Sequence, residues 1–80
     1  MSRKINRQKA EDVNWESVGR RIRERRGFDV TQADLAQRIG VSQAYLSMIE
    51  NGRGEIGATV LLRLSREFGK TMEWLLTGEG

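Results

Sequence analysis

The amino-acid sequence predicts an all-α domain of five short helices. Three observations carry this. Apolar residues return at three- and four-residue spacing in one segment after another, as they do along a helix that buries one face. No stretch alternates apolar and polar residues in the manner of a half-buried strand. The chain has 80 residues, enough for one small core and too few to bury most of its surface.

Taken in order, residues 1–13 form a basic arm. After the initial Met, their only apolar residues are Ile5, Ala10 and Val13, and Arg3, Lys4, Arg7 and Lys9 lie among them, so the segment reads as flexible and outside the folded domain at 14–80. From Trp15, Val18 and Ile22 recur four apart on an Arg-rich surface, predicting a first helix to about Arg26 that Gly27 and Asp29 break. Thr31-Gln32-Ala33-Asp34 has the form of a capping box, which starts a second helix. Its apolar stripe is Leu35, Ala36 and Ile39, and Gly40 suits the left-handed residue that ends a helix. Only Gly40 and Val41 precede Ser42, the next capping residue. Two helices joined so tightly must diverge, which is the geometry of a helix-turn-helix.

The third helix runs from Ser42 to about Asn51. Placing its residues about 100° apart brings Leu46 and Ile49 together, flanked by Ser42, Tyr45 and Glu50. Gln43, Ala44, Ser47, Met48 and Asn51 occupy the other arc, which carries no charge in a chain that is 31% charged. A merely solvated face would hold Lys and Glu, so this one looks shaped for contact. Leu61, Leu64 and Phe68 then define a fourth, core helix from about Ala58, and Thr71 can cap a last short helix, Met72 to Leu76, carrying Trp74, Leu75 and Leu76.

Composition narrows the function. Without Cys or His, the chain lacks the usual zinc ligands, thiol nucleophile and imidazole base, and its carboxylates form no paired motif, so it is not expected to be an enzyme or to need a metal or cofactor. Apolar runs no longer than Val60-Leu61-Leu62, with no apolar stretch near the start, point to a cytoplasmic protein with no membrane span or secretory signal. Residues 1–26 hold nine Lys or Arg against four acidic residues, a net of +5, whereas residues 27–80 hold five against seven, a net of −2. The N-terminal third is therefore the candidate polyanion surface. Gly52-Arg53-Gly54-Glu55-Ile56-Gly57 matches the glycine spacing of a dinucleotide cradle, but that cradle needs a preceding strand and a βαβ unit, which the sequence does not predict.

From Thr31 to Gly52 the residues follow the pattern Thr-Gln-x-x-Leu-Ala-x-x-x-Gly-Val-Ser-x-x-x-Leu-Ser-x-Ile-Glu-Asn-Gly. This resembles the XRE-like helix-turn-helix domain of phage repressors and Cro-type regulators, and the likeness continues through "LLRLSREFG" and "WLLTGEG" to cover about residues 15–80. The spacing from Ile22 to Thr31 is one residue shorter than is usual in the family. Residues 1–14 have no counterpart in its minimal domain.

The resemblance implies a compact five-helix lambda-repressor-like fold and a transcriptional regulator, most simply a phage or prophage repressor, bound as a homodimer to a near-palindromic double-stranded DNA operator. The third helix would enter the major groove with Gln43, Ala44, Ser47 and Met48 at base edges. A Gln amide pairs with adenine, and Ala and Met touch apolar groups such as the thymine methyl. Gln32, Ser42, Tyr45, Asn51 and Arg53 are the expected phosphate contacts. Ser42 would act first as a cap, and for Tyr45 partial core burial is an equal alternative. The arm's Arg3, Lys4, Arg7 and Lys9 would add phosphate contacts, Arg26 and Glu50 would form a structural pair, and Trp74, Leu75 and Leu76 would supply a dimer contact, with packing in the core as the alternative. The ending "TGEG" resembles the point where related repressors continue into a self-cleaving domain. An antitoxin that binds a partner toxin is the alternative from another class.

Overall fold

A computed structural model describes residues 12–80. Its helices are α1 (Trp15–Arg26), α2 (Gln32–Ile39), α3 (Gln43–Glu50), α4 (Ala58–Phe68) and α5 (Met72–Thr77), with no strand among the described residues. Among the described residues the all-α, five-helix expectation holds, and the helix boundaries follow from local capping chemistry. The side-chain oxygens of Asn14, Thr31, Ser42 and Thr71 each accept a hydrogen bond from the backbone N–H three residues on, at 2.9–3.1 Å. At Thr31 the box is complete, since Asp34 in return accepts from the Thr31 N–H at 3.4 Å.

The α2–α3 turn rests on Gly40, which adopts φ 74°, ψ 34°. An L side chain is disfavoured there, and glycine is not. The Gly40 N–H donates to the Gln37 carbonyl and the Val41 N–H to the Ala36 carbonyl at 2.9 Å, so the last carbonyls of α2 are satisfied as the chain reverses. Ser42 then starts α3 at once.

The core comprises Val18 and Ile22 of α1, Leu35, Ala36 and Ile39 of α2, Leu46 and Ile49 of α3, Leu61 and Leu64 of α4, and Leu75 of α5, joined by Ile56 from the α3–α4 loop. Helix α1 packs on α3 and α5, α2 on α3 and α4, and α4 on α5. Arginines tie helix ends across these joints: Arg21 donates to the Leu75 carbonyl at 2.9 Å and Arg63 to the Ile39 carbonyl at 3.1 Å.

Two expectations need correcting. Leu75, for which a dimer contact and the core are the two alternatives from sequence, is 0% exposed and belongs to the core of the single chain instead of a dimer contact. Trp74 and Leu76 are half-buried against that core, and the Lys70 ammonium lies 5.1 Å from the Trp74 ring centroid. Val13, assigned to the arm, is also half-buried and packs on the core. The arm residues Arg3, Lys4, Arg7 and Lys9 lie outside the described residues.

Candidate nucleic-acid interface

Helix α3 divides as the wheel predicts. Leu46, Ile49 and Glu50 are buried and Tyr45 is half-buried, while Gln43, Ala44 and Met48 are exposed and Ser47 is half-buried at their edge. Met48, 39% exposed, is an apolar side chain held out in solvent on the same outer face as Gln43 and Ala44. Ser42, expected to cap and to meet phosphate, is exposed, and its Oγ accepts from the Tyr45 N–H. Asn51 folds its Nδ2 back to donate to the Ser47 carbonyl at 2.9 Å, which leaves its side-chain carbonyl outward as an acceptor.

The loop leaving α3 contains the glycine-rich stretch. It follows one helix and precedes another, so it lacks the strand that a dinucleotide site requires. Gly52 stands at φ 74°, the Gly52 N–H donates to the Ile49 carbonyl, and the Arg53 N–H donates to the Met48 carbonyl at 3.1 Å. With Ile56 buried at the loop's far end, Arg53 is presented, exposed, from a segment pinned on both sides.

Glu50 is the pivot of the buried side. Only 2% exposed, its carboxylate accepts from Arg26 Nε at 2.8 Å and Nη2 at 2.9 Å, a two-pronged ion pair, and from Gln32 Nε2 at 3.0 Å. Arg26 Nη1 also donates to the Val30 carbonyl at 3.0 Å. The hydrogen bonds to Glu50 push the Arg26 guanidinium above its ordinary pKa, and the carboxylate's charge adds to this against the opposing effect of burial. One network thus joins α1, the α1–α2 loop, α2 and α3, and it satisfies a carboxylate that would otherwise be costly to bury.

The pair of Arg26 and Glu50 is as expected, but the part played by Gln32 is not. Sequence reasoning aims its side chain outward at phosphate, whereas one amide hydrogen is spent on Glu50. No local signal marks it, because Gln32 opens α2 and Glu50 ends α3, and only the packing of the two helices brings them together. Gly19, buried inside α1, also escapes sequence reasoning. A Cβ built there would collide with the Ile49 carbonyl oxygen and lie 2.7 Å from that of Glu50, so α1 can cross α3 this closely only with glycine.

A helix-turn-helix family model matches residues 20–75, most of the domain described above. The chain belongs to the helix-turn-helix family. Its likeness is to the XRE type. A structure of the P22 c2 repressor in complex with a synthetic operator superposes with a TM-score of 0.72 at 35% identity, covering 78% of this chain and 96% of that one. The clp gene regulator ClgR of Corynebacterium glutamicum gives a TM-score of 0.71 at 31% identity, with 82% of this chain and 71% of that one covered. A propionyl-CoA carboxylase regulator of Cereibacter sphaeroides is 40% identical over 63 residues, which are 78% of this chain and 14% of that regulator. The chain therefore spans a small fraction of that relative's length.

Proposed function

We propose that the protein is a sequence-specific double-stranded DNA-binding regulator of transcription, and that it acts as a repressor by occupying a near-palindromic operator as a homodimer. The observation that carries this reading is the uncharged outer face of α3. It offers one amide that can pair with adenine N6 and N7, beside small and apolar side chains suited to a thymine methyl. An A·T pair read by Gln43 is the first specificity it implies. The likeness to a repressor solved on its operator supports the same reading.

Phosphate contacts in this proposal flank α3. At the start of α2, the free backbone amides and helix dipole complement the remaining amide hydrogen of Gln32. On the other side, Ser42, Tyr45, Asn51 and Arg53 surround the reading face. The arm's Arg3, Lys4, Arg7 and Lys9 add phosphate contacts that raise affinity without specifying sequence. Two copies are needed because one module buries little surface, and recognition helices roughly 34 Å apart reach successive major grooves.

Selecting bound sites from random duplex DNA tests the whole reading. It should return an inverted repeat whose half-sites lie about one helical turn, or a multiple of it, apart. Absence of any enriched sequence refutes it and favours a protein-binding role such as an antitoxin's.

A further inference from the structure

Four residues on one face of α1, at 16, 19, 23 and 26, meet the C-terminal end of α3. At Glu16 the α1 backbone comes so near Gly52 that a Cβ on Gly52 would lie 2.7 Å from the Glu16 Cα. At Gly19 the α1 backbone abuts the last carbonyls of α3 directly. Arg23 Nη1 donates to the Glu50 main-chain carbonyl at 3.4 Å, and Arg26 holds the Glu50 side chain. The spacing of three and four keeps all four on one side of the helix. The Arg26 pair alone would hold α3 in place, but a long side chain does not define a distance to a fraction of an ångström. A bare backbone against a carbonyl does.

We propose that Gly19, with Arg23 beside it, is a positioning residue for DNA recognition: it sets how far the C-terminal end of α3 stands from α1, and so the angle at which Ser47 and Met48 meet the bases. The proposal rests on the DNA-binding reading above. A methyl group at 19 would lie 2.7 Å from the Glu50 carbonyl oxygen and 2.9 Å from its carbon. Unstrained carbon contacts are about 3.5–4.0 Å, so the two backbones must part by on the order of 1 Å. The obstructing atoms are main chain and cannot rotate aside, so one of the helices must move as a body. Helix α3 has eight residues and is about 12 Å long, and a 1 Å displacement at one end tilts it by roughly 5°. Binding geometries tolerate about 0.5 Å. Ser47 and Met48, near the displaced end, move more than Gln43 and Ala44.

The test compares affinity for a duplex recovered by site selection with affinity for a scrambled duplex of equal length, for wild type, Gly19→Ala and Arg23→Gln. The ratio of the two affinities is insensitive to the fraction of protein folded, because unfolding lowers both alike. Gly19→Ala should cut the ratio roughly tenfold to a hundredfold, most strongly at the base pairs next to Ser47 and Met48, while the scrambled duplex binds as before to the folded protein. Arg23→Gln, which removes one hydrogen bond at an exposed site, should cut it about threefold. An unchanged ratio for a folded Gly19→Ala protein overturns the inference. Should that variant not fold, the decision passes to Arg23→Gln. There an unchanged ratio, or a fall confined to scrambled-duplex affinity and its salt slope, overturns it. Failure of the DNA-binding reading looks different, since the wild type would then yield no preferred duplex.

Discussion

Replacing Glu50 by Ala tests the network on which the α1–α2–α3 arrangement depends. The substitution deletes the acceptor of three hydrogen bonds, two from Arg26 and one from Gln32, and leaves the guanidinium with only the Val30 carbonyl among its present partners. Removing one member of a buried ion pair costs about 3–5 kcal/mol. The Arg26 side chain is 15% exposed and can turn partly toward water, which places the expected loss at the lower end, about 3 kcal/mol. A domain of this size has a total stability of about 4–12 kcal/mol. Each kcal/mol shifts the melting temperature by about 4–8 °C, so Glu50→Ala should melt about 10–25 °C lower, as followed by circular dichroism. The double variant Arg26→Met with Glu50→Leu removes both charges together. It should be less unstable than the sum of the two single changes, because no buried charge is then stranded. Wild-type melting of Glu50→Ala, or strict additivity in the double variant, would refute this account of the network.

Four further outcomes follow from the same geometry. Gln43→Ala should relax the preference at one A·T position by about 1–3 kcal/mol in a competition assay against all four base pairs, and an unchanged preference at every position would remove Gln43 from base reading. Leu75→Ala, at a fully buried site, should cost about 2–5 kcal/mol in urea unfolding of the monomer; if it altered only the oligomeric state, Leu75 would be an interface residue after all. Because the pKa of Arg26 is raised in the folded state, its contribution to stability is complete below the unfolded-state value and is lost only as pH rises beyond it. The stability difference between wild type and the double variant Arg26→Met with Glu50→Leu, in which no carboxyl is left unpaired, should therefore stay constant from pH 7 to about pH 10 in melts across that range. Deleting residues 1–12 should lower the slope of log affinity against log salt by about 0.9 for each phosphate that the arm neutralises, and an unaltered slope would take the arm out of the interface.

Much of the arrangement was legible residue by residue. Thr31, Ser42 and Thr71 announced helix starts because a cap is a bond between residues three apart, and Gly40 announced the turn because its conformation belongs to that one residue. Glu50 could be paired with Arg26 because the wheel set a carboxylate beside the apolar face and the family resemblance supplied its partner. Ile56 was harder to place. It sits between glycines in a loop with no periodicity, and only its insertion into the core beside α4 buries it. Phe28 was equally silent: nothing local says that an aromatic in the α1–α2 loop should stand fully exposed, as it does, and nothing in the packing explains it.

The sequence by itself determined the five helices, their boundaries, the sharp α2–α3 turn and the uncharged face of α3. Each is encoded within three or four residues, by capping bonds, by the period of the apolar positions or by a glycine's own backbone freedom. Tertiary structure alone decided that Gln32 reaches Glu50, that Leu75 turns inward while Trp74 and Leu76 stay half-covered, and that Gly19 lies against the end of α3. These depend on the distance and angle between helices whose contacting residues are some twenty to fifty positions apart. That rigid-body placement is set by how all five apolar faces close on one core, and no short stretch of the chain carries it.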